Sequence, residues 1–160
     1  MRWPAADWPE VEPFPFAGAR RAFTGRPPAA GKDDSERVIP VRYFRRPGDQ
    51  KLVALVRFTE RVEGAPGQAH GGAILTVLDE ALGAAAWVEG HPVFTVRLAS
   101  EFRVSVPIPS ELLVETELYK THSRLVWVRG ELVGRDGTRF ASADGRFFKL
   151  DEQTTRRLRL

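Results

Sequence analysis

Two short features of this 160-residue chain hold residue types capable of chemistry: His70-Gly71-Gly72, and Asp79 nine residues after the histidine. Ile74, Val77, Leu78, Ala81, Leu82 and Ala85 recur at spacings of three and four, which predicts a helix from Gly71 to about residue 88. A helix starting at Gly71 leaves its first backbone N–H groups without intrahelical partners and presents the positive end of its dipole, so it favours negative charge. Neither glycine carries a side chain that would keep a carbonyl away from that backbone. One reading is an oxyanion hole that polarises an acyl carbonyl. The other is that the glycines merely permit a tight turn from loop to helix.

Asp79 has Leu75, Thr76, Leu82 and Gly83 as its helical neighbours three and four residues away, so no basic side chain pairs with it along the helix. A carboxylate on or beside an apolar face is costly unless it serves something, and a partly desolvated one suits a general base or nucleophile. Glu80 competes for that role. It lies about 100° further round the axis, beside Thr76, Gly83 and Ala84. A solvated helix face accounts for either acid, and spacing alone favours Asp79 only slightly.

The elements that position these residues follow from the surrounding pattern. The first 37 residues are rich in proline, with Trp3, Trp8, Phe14, Phe16 and Phe23 among them, and cannot run as a long helix. An irregular arm with at most one short helix, lying over the domain, is expected there. From Val38 the alternation is that of a strand, with a turn at Pro47-Gly48-Asp49 and a second strand from Leu52 to about Val62. Residues 63–69 form a loop. Beyond the helix, strands are expected over 93–106, 111–122, 125–134 and 139–149, the last two joined by a hairpin at Arg135-Asp136-Gly137. The expected organisation is an arm over 1–37, one α+β domain over 38–150 with an antiparallel sheet around one long helix, and a basic tail over 151–160.

Composition narrows the chemistry. The absence of cysteine removes disulfides, a thiolate nucleophile and cysteine-ligated metal. His70, His91 and His122 lack metal-ligand spacing, so no metal is expected. No serine sits in a Gly-x-Ser-x-Gly context. The formal charge of +3 comes from arginines scattered among acids, except for Arg156, Arg157 and Arg159, which argues against nucleic acid. No run approaches the roughly 20 apolar residues of a membrane span and the N-terminus has no leader-like stretch, so a cytoplasmic protein is expected.

The ten residues from His70 to Asp79, reached through Glu63-Gly64-Ala65-Pro66-Gly67, resemble the hotdog-fold thioesterase superfamily. Within it they are most similar to the phenylacetate-pathway (PaaI-like) acyl-CoA thioesterases, over roughly residues 38–150. The resemblance implies a hotdog fold and hydrolysis of an acyl-CoA thioester to acid and CoA, with no cofactor beyond the coenzyme A of the substrate. It places Asp79 on the catalytic carboxylate, Gly71 on the amide that holds the thioester oxygen, and His70 and Gly72 in the loop that shapes that amide. Thr95 falls where relatives have a Ser or Thr that assists the carboxylate or its water. Many relatives carry Asn or Gln at the position of Gly64, so Gln68 or water would have to take that contact. Arg97, Arg103 and Arg146 could meet the phosphates of coenzyme A, or simply be solvated; of these Arg103 is the one assigned to substrate. Trp87, Trp127, Phe94 and Phe102 are read as core or interface aromatics.

Gly71 and Asp79 stand eight residues apart on one helix, about 12 Å along its axis. One carbonyl cannot be held by the first and attacked with help from the second of the same chain. A homodimer with sites across its interface, or a dimer of such dimers, is therefore expected. Two other readings are a hydrolase of carrier-protein-bound acyl groups and a catalytically silent acyl-CoA-binding protein. A hotdog dehydratase would need a histidine paired with an acid, and His70 belongs to the glycine loop.

Overall fold

The computed structural model describes residues 3–4, 7–14, 24–25 and 38–158. Most of the N-terminal arm, including Phe16 and Phe23, and Arg159 of the tail lie outside these. The two-residue strands β1 (Glu10–Val11) and β2 (Thr24–Gly25) precede β3 (Ile39–Arg45) and β4 (Leu52–Phe58). The long helix α1 (Gly71–Val88) follows. Strands β5 (Val93–Phe102), β6 (Ser110–His122), β7 (Leu125–Val133) and β8 (Arg139–Lys149) and the short helix α2 (Glu152–Leu158) complete the chain.

The sheet runs β1-β3-β4-β6-β7-β8-β5 with antiparallel neighbours, and β2 lies parallel to β3. It curls around α1, which is the hotdog arrangement of an antiparallel sheet wrapped on one helix. Ile74, Val77, Leu78, Ala81, Leu82 and Ala85 are all buried against it. Leu82 shows why the fit is close. A Cβ at Gly130 would lie 2.7 Å from Leu82 Cδ1 and 2.9 Å from the Glu115 carbonyl oxygen, and one at Gly145 would lie 3.2 Å from Leu82 Cδ2. The two strands lack side chains where the leucine enters. By length and composition α1 is apolar enough to cross a membrane, contrary to the expectation that no run approaches one, because Asp79 and Glu80 are its only charges. Its apolar side is instead covered by sheet.

In β4, alternate residues belong to different cores. Leu52, Ala54, Val56 and Phe58 face α1, while Val53 joins Trp8, Phe44, Leu113 and Val133 on the outer side. Burial on both sides explains why Leu52-Val53-Ala54-Leu55-Val56 reads as an unbroken apolar run.

Three boundaries differ from the sequence expectation. Strand β4 ends at Phe58 rather than near Val62, because Thr59 caps a 3-10 turn over Glu60–Val62 by accepting from the Arg61 N–H. Strand β5 ends at Phe102 rather than 106, because the chain then turns to meet the loop before α1: the Ala69 N–H donates to the Val106 carbonyl and the Ile108 N–H to the Gly67 carbonyl. Residues 152–158, read as tail, form α2. Asp151 starts it, accepting at Oδ1 from the Thr154 N–H at 2.7 Å.

Because Leu82 fills the space left by two glycines, Leu82→Ala leaves a cavity that neither strand can close. It should lower the unfolding free energy by about 2–5 kcal/mol in urea denaturation.

Candidate active site

His70 caps α1. Its Nδ1 accepts from the Gly72 N–H at 2.9 Å, which requires an unprotonated Nδ1, and its carbonyl accepts from the Ala73 and Ile74 N–H groups. The loop holds the histidine in place. The His70 N–H donates to the Val62 carbonyl at 2.7 Å, and a Cβ at Gly64 would lie 2.9 Å from His70 Cα. Gly64 is thus a glycine because the His70 backbone lies against it, and the absence of an Asn or Gln side chain there is built into this loop. Gln68 lies in the same loop with its Oε1 buried and without a hydrogen-bond partner among the described residues.

The cap divides the first amides of the helix. Those of Gly72, Ala73 and Ile74 are engaged, whereas the Gly71 N–H has no acceptor among the described residues. Gly71 is exposed, and among the described residues the only side chain a Cβ there would meet is the Phe102 ring, at 3.9 Å. What remains is one N–H at the positive end of an 18-residue helix, reachable from outside and bordered by an aromatic ring.

Asp79 and Glu80, which spacing could not separate, face different neighbours. The Thr95 hydroxyl of β5 donates to Asp79 Oδ1 at 2.8 Å. Glu80 turns toward β2 and β3, where its two oxygens accept from the Thr24 and Tyr43 hydroxyls. Asp79 is half-buried, and its proton affinity is raised above the usual carboxylate value. Burial is the main cause and the charge of Glu80 adds to it, while the Thr95 hydrogen bond opposes both.

Asp79 and Thr95 lie together, as do Gly71 and Phe102, and β5 runs past both pairs. Among the described residues it is an edge strand, bonded only to β8. Phe94, Val96 and Phe102 on it, Val104 beyond it and Leu75 of α1 are exposed apolar side chains on this flank. Neither the partners of Glu80, Thr24 and Tyr43, nor the ring beside Gly71 had a local sequence signal, since each contact joins segments more than 30 residues apart. Arg103 is an exposed side chain whose contact to Glu101 is 3.5 Å long. Arg97 is exposed, and Arg146 has its Nε buried without a partner among the described residues. Trp87 is a core residue whose indole N–H donates to the Val93 carbonyl, whereas Phe94 is largely exposed. Among the described residues no three His, Asp or Glu side chains group as a metal site would require.

Residues 66–141 match the family model of the Thioesterase superfamily, spanning Gly71, Asp79 and Thr95. Over those residues the chain is similar to that superfamily. Acyl-coenzyme A thioesterase THEM5 of Homo sapiens is 31% identical over 108 residues, which are 67% of this chain and 44% of that protein. The chain therefore spans less than half the length of that relative. A crystal structure of a thioesterase superfamily protein superposes with a TM-score of 0.66 at 25% identity, covering 72% of this chain and 56% of that one. The Escherichia coli PaaI protein from the phenylacetic acid degradation operon superposes with a TM-score of 0.62 at 14% identity, covering 71% and 80%. The hotdog fold is common to this chain and these two structures.

The raised affinity of Asp79 for its proton has a consequence for stability. A carboxyl whose folded-state pKa exceeds its unfolded value favours folding only while protonated, and that contribution is lost as pH rises through the folded value. At neutral pH the charged Asp79 is therefore a cost. Asp79→Asn should be more stable than the parent protein at pH 7 in urea denaturation, and the difference should close as both are taken below about pH 4.

Proposed function

We propose that this protein hydrolyses acyl-CoA thioesters, at sites each built from two chains. The observation that carries the reading is the Gly71 N–H at the start of α1, without an acceptor among the described residues and about 12 Å along the axis from the Asp79–Thr95 pair. An amide that stabilises an oxyanion and a carboxylate that activates water must both lie within hydrogen-bonding reach of one reacting centre. A two-fold axis beside β5 would bring the Gly71 and Phe102 of one copy to the Asp79 and Thr95 of another. The free edge of β5 and its exposed Phe94, Val96 and Phe102 support that contact, since an unpaired apolar edge is otherwise a liability.

In this reading the thioester oxygen accepts from the Gly71 N–H, which polarises the carbonyl. The Gly72 amide, already bonded to His70, helps only by holding the loop. Thr95 occupies Asp79 Oδ1, so Oδ2 takes a proton from water as the water oxygen attacks the carbonyl carbon. The oxyanion collapses, the carbon–sulfur bond breaks, and the CoA thiolate leaves with the proton that Asp79 accepted. A raised pKa suits this exchange, because the same group must accept a proton and then return it. Gln68, on the loop that ends at His70, would have to turn its buried Oε1 outward to meet the water or the pantetheine amides. Arg97, Arg103 and Arg146 are the candidates for the phosphates of coenzyme A.

Release of free thiol from short, medium, long and aromatic acyl-CoAs tests the reading. The parent protein should turn over at least one of them, and Asp79→Asn should be slower by about 10²–10⁴-fold while remaining folded. Near-normal turnover by Asp79→Asn would remove the carboxylate from the mechanism. Turnover confined to thioesters on a carrier protein would transfer the substrate to that class. The two-chain site has its own check. Val96→Glu places a charge on the exposed edge of β5 and should convert a dimer in analytical ultracentrifugation into a monomer, with loss of hydrolysis; an active monomer would refute the shared site.

A further inference from the structure

The N-terminal arm touches the helix that carries Asp79 and, through Trp87 of that helix, is linked to the strand that carries Thr95. Glu80, the residue after Asp79, is held on both oxygens: Oε1 accepts from the Tyr43 hydroxyl at 2.9 Å and Oε2 from the Thr24 hydroxyl. Thr24 belongs to the arm strand β2 and Tyr43 to β3, and both are buried. A carboxylate that accepts a hydroxyl on each oxygen ties its own helix to the two donors, through bonds stronger than those between neutral groups.

A second thread starts from the same tyrosine. Phe14 of the arm meets the Tyr43 ring edge-on, with centroids 6.4 Å apart, and the Trp87 ring of α1 at 6.1 Å. The Trp87 indole N–H donates to the carbonyl of Val93 at 3.2 Å. Val93 opens β5, two residues before Thr95. Thr24 and Phe14 thus reach the helix at Glu80 and Trp87, one and eight residues after Asp79, and the second contact continues into the strand that carries Thr95.

We infer that Glu80 is a positioning residue for the Asp79 carboxylate, and that the N-terminal arm, through Thr24 and Phe14, belongs to the working framework of the site. The inference rests on the hydrolase reading for its kinetic consequence. Its physical reason is that the Asp79–Thr95 hydrogen bond crosses from α1 to β5 and holds at 2.8 Å only while helix and strand keep one register. A misplacement of about 1 Å in a reacting group costs roughly 10²-fold in rate. The family match begins at residue 66, so the arm, β3 and their contacts to α1 lie outside it.

The test uses the full chain and an acyl-CoA that the parent protein turns over. Thr24→Val and Tyr43→Phe each remove one hydroxyl and keep the shape, and should lower kcat by about 3–10-fold. Glu80→Leu should lower it by about 10–100-fold, in each case with KM changed by less than about twofold, as expected for a group that acts on geometry rather than on substrate binding. Glu80→Gln, which keeps an acceptor for the hydroxyls, should restore kcat to within about threefold of the parent. Arg135→Ala, which loosens the arm where Arg135 stacks on Trp3 outside this network, should leave kcat unchanged. Equal kcat in the parent, Tyr43→Phe and Glu80→Leu would overturn the inference, as would an equal loss in Arg135→Ala. Amide hydrogen exchange over residues 76–83 and 93–97 reads the same framework without substrate. Faster exchange in Tyr43→Phe and Glu80→Leu, reversed in Glu80→Gln, supports the inference, and unchanged exchange overturns it. A parent protein that turns over no acyl-CoA defeats the hydrolase reading, and hydrogen exchange then decides the positioning by itself.

Discussion

Leu78, Ala81 and Leu82 of α1 have no exposed surface, and Leu82 enters a space that Gly130 and Gly145 leave open. A helix packed this way cannot slide or turn without opening voids or forcing side chains into backbone, and protein interiors tolerate neither well. Every candidate group takes its place from that constraint. Gly71 lies at the end of the helix because the His70 cap starts it there. Asp79 reaches Thr95, and Glu80 reaches Tyr43, because a rigid helix sends successive side chains in directions about 100° apart. The core specifies the site, although none of the site's polar atoms belongs to the core.

The two adjacent acids show how one sequence feature is put to two uses. Glu80 is held by hydroxyls on both oxygens, so its charge is compensated and its position is fixed. Asp79 has one hydroxyl, from Thr95, and is half-buried next to another negative charge, which raises its affinity for a proton. The first arrangement is that of a structural tie. The second leaves a carboxylate under-compensated, a cost that natural proteins retain mainly where the group works. The same contrast holds at the helix start, where three of the first four amides have acceptors and Gly71 has none among the described residues.

The edge strand β5 connects these features. On the face that meets α1 it supplies Thr95, and further along it supplies the ring beside Gly71. Away from the core it presents apolar side chains and a free edge. The opposite edge, at β3, is covered by β1 and β2 of the arm. One edge is closed within the chain and the other left open, which is the distribution that the proposed two-chain site requires.

The long helix was legible from the sequence, from Gly71 to about residue 88, because an apolar period of three and four over that length is the signature of a helix packed on one side. The order of strands was legible for the same reason of period, with ends wrong by several residues where Thr59 capping and the loop contacts of Val106 overrode propensity. The glycines of the helix start and the carboxylates marked where chemistry could occur, and the resemblance to thioesterases ranked Asp79 above Glu80. The sequence could not supply the reason for that ranking. Which acid keeps an unbalanced charge depends on Thr24, Tyr43 and Thr95, each at least 16 residues away, and such contacts leave no trace in local periodicity. Gly64 is the plainest case. By sequence it was a missing polar contact, whereas in three dimensions the His70 backbone fills the space that a side chain would need. Short-range pattern determined the elements and the candidates. Only tertiary packing, which brings distant hydroxyls and backbone to individual atoms, decided what each candidate can do.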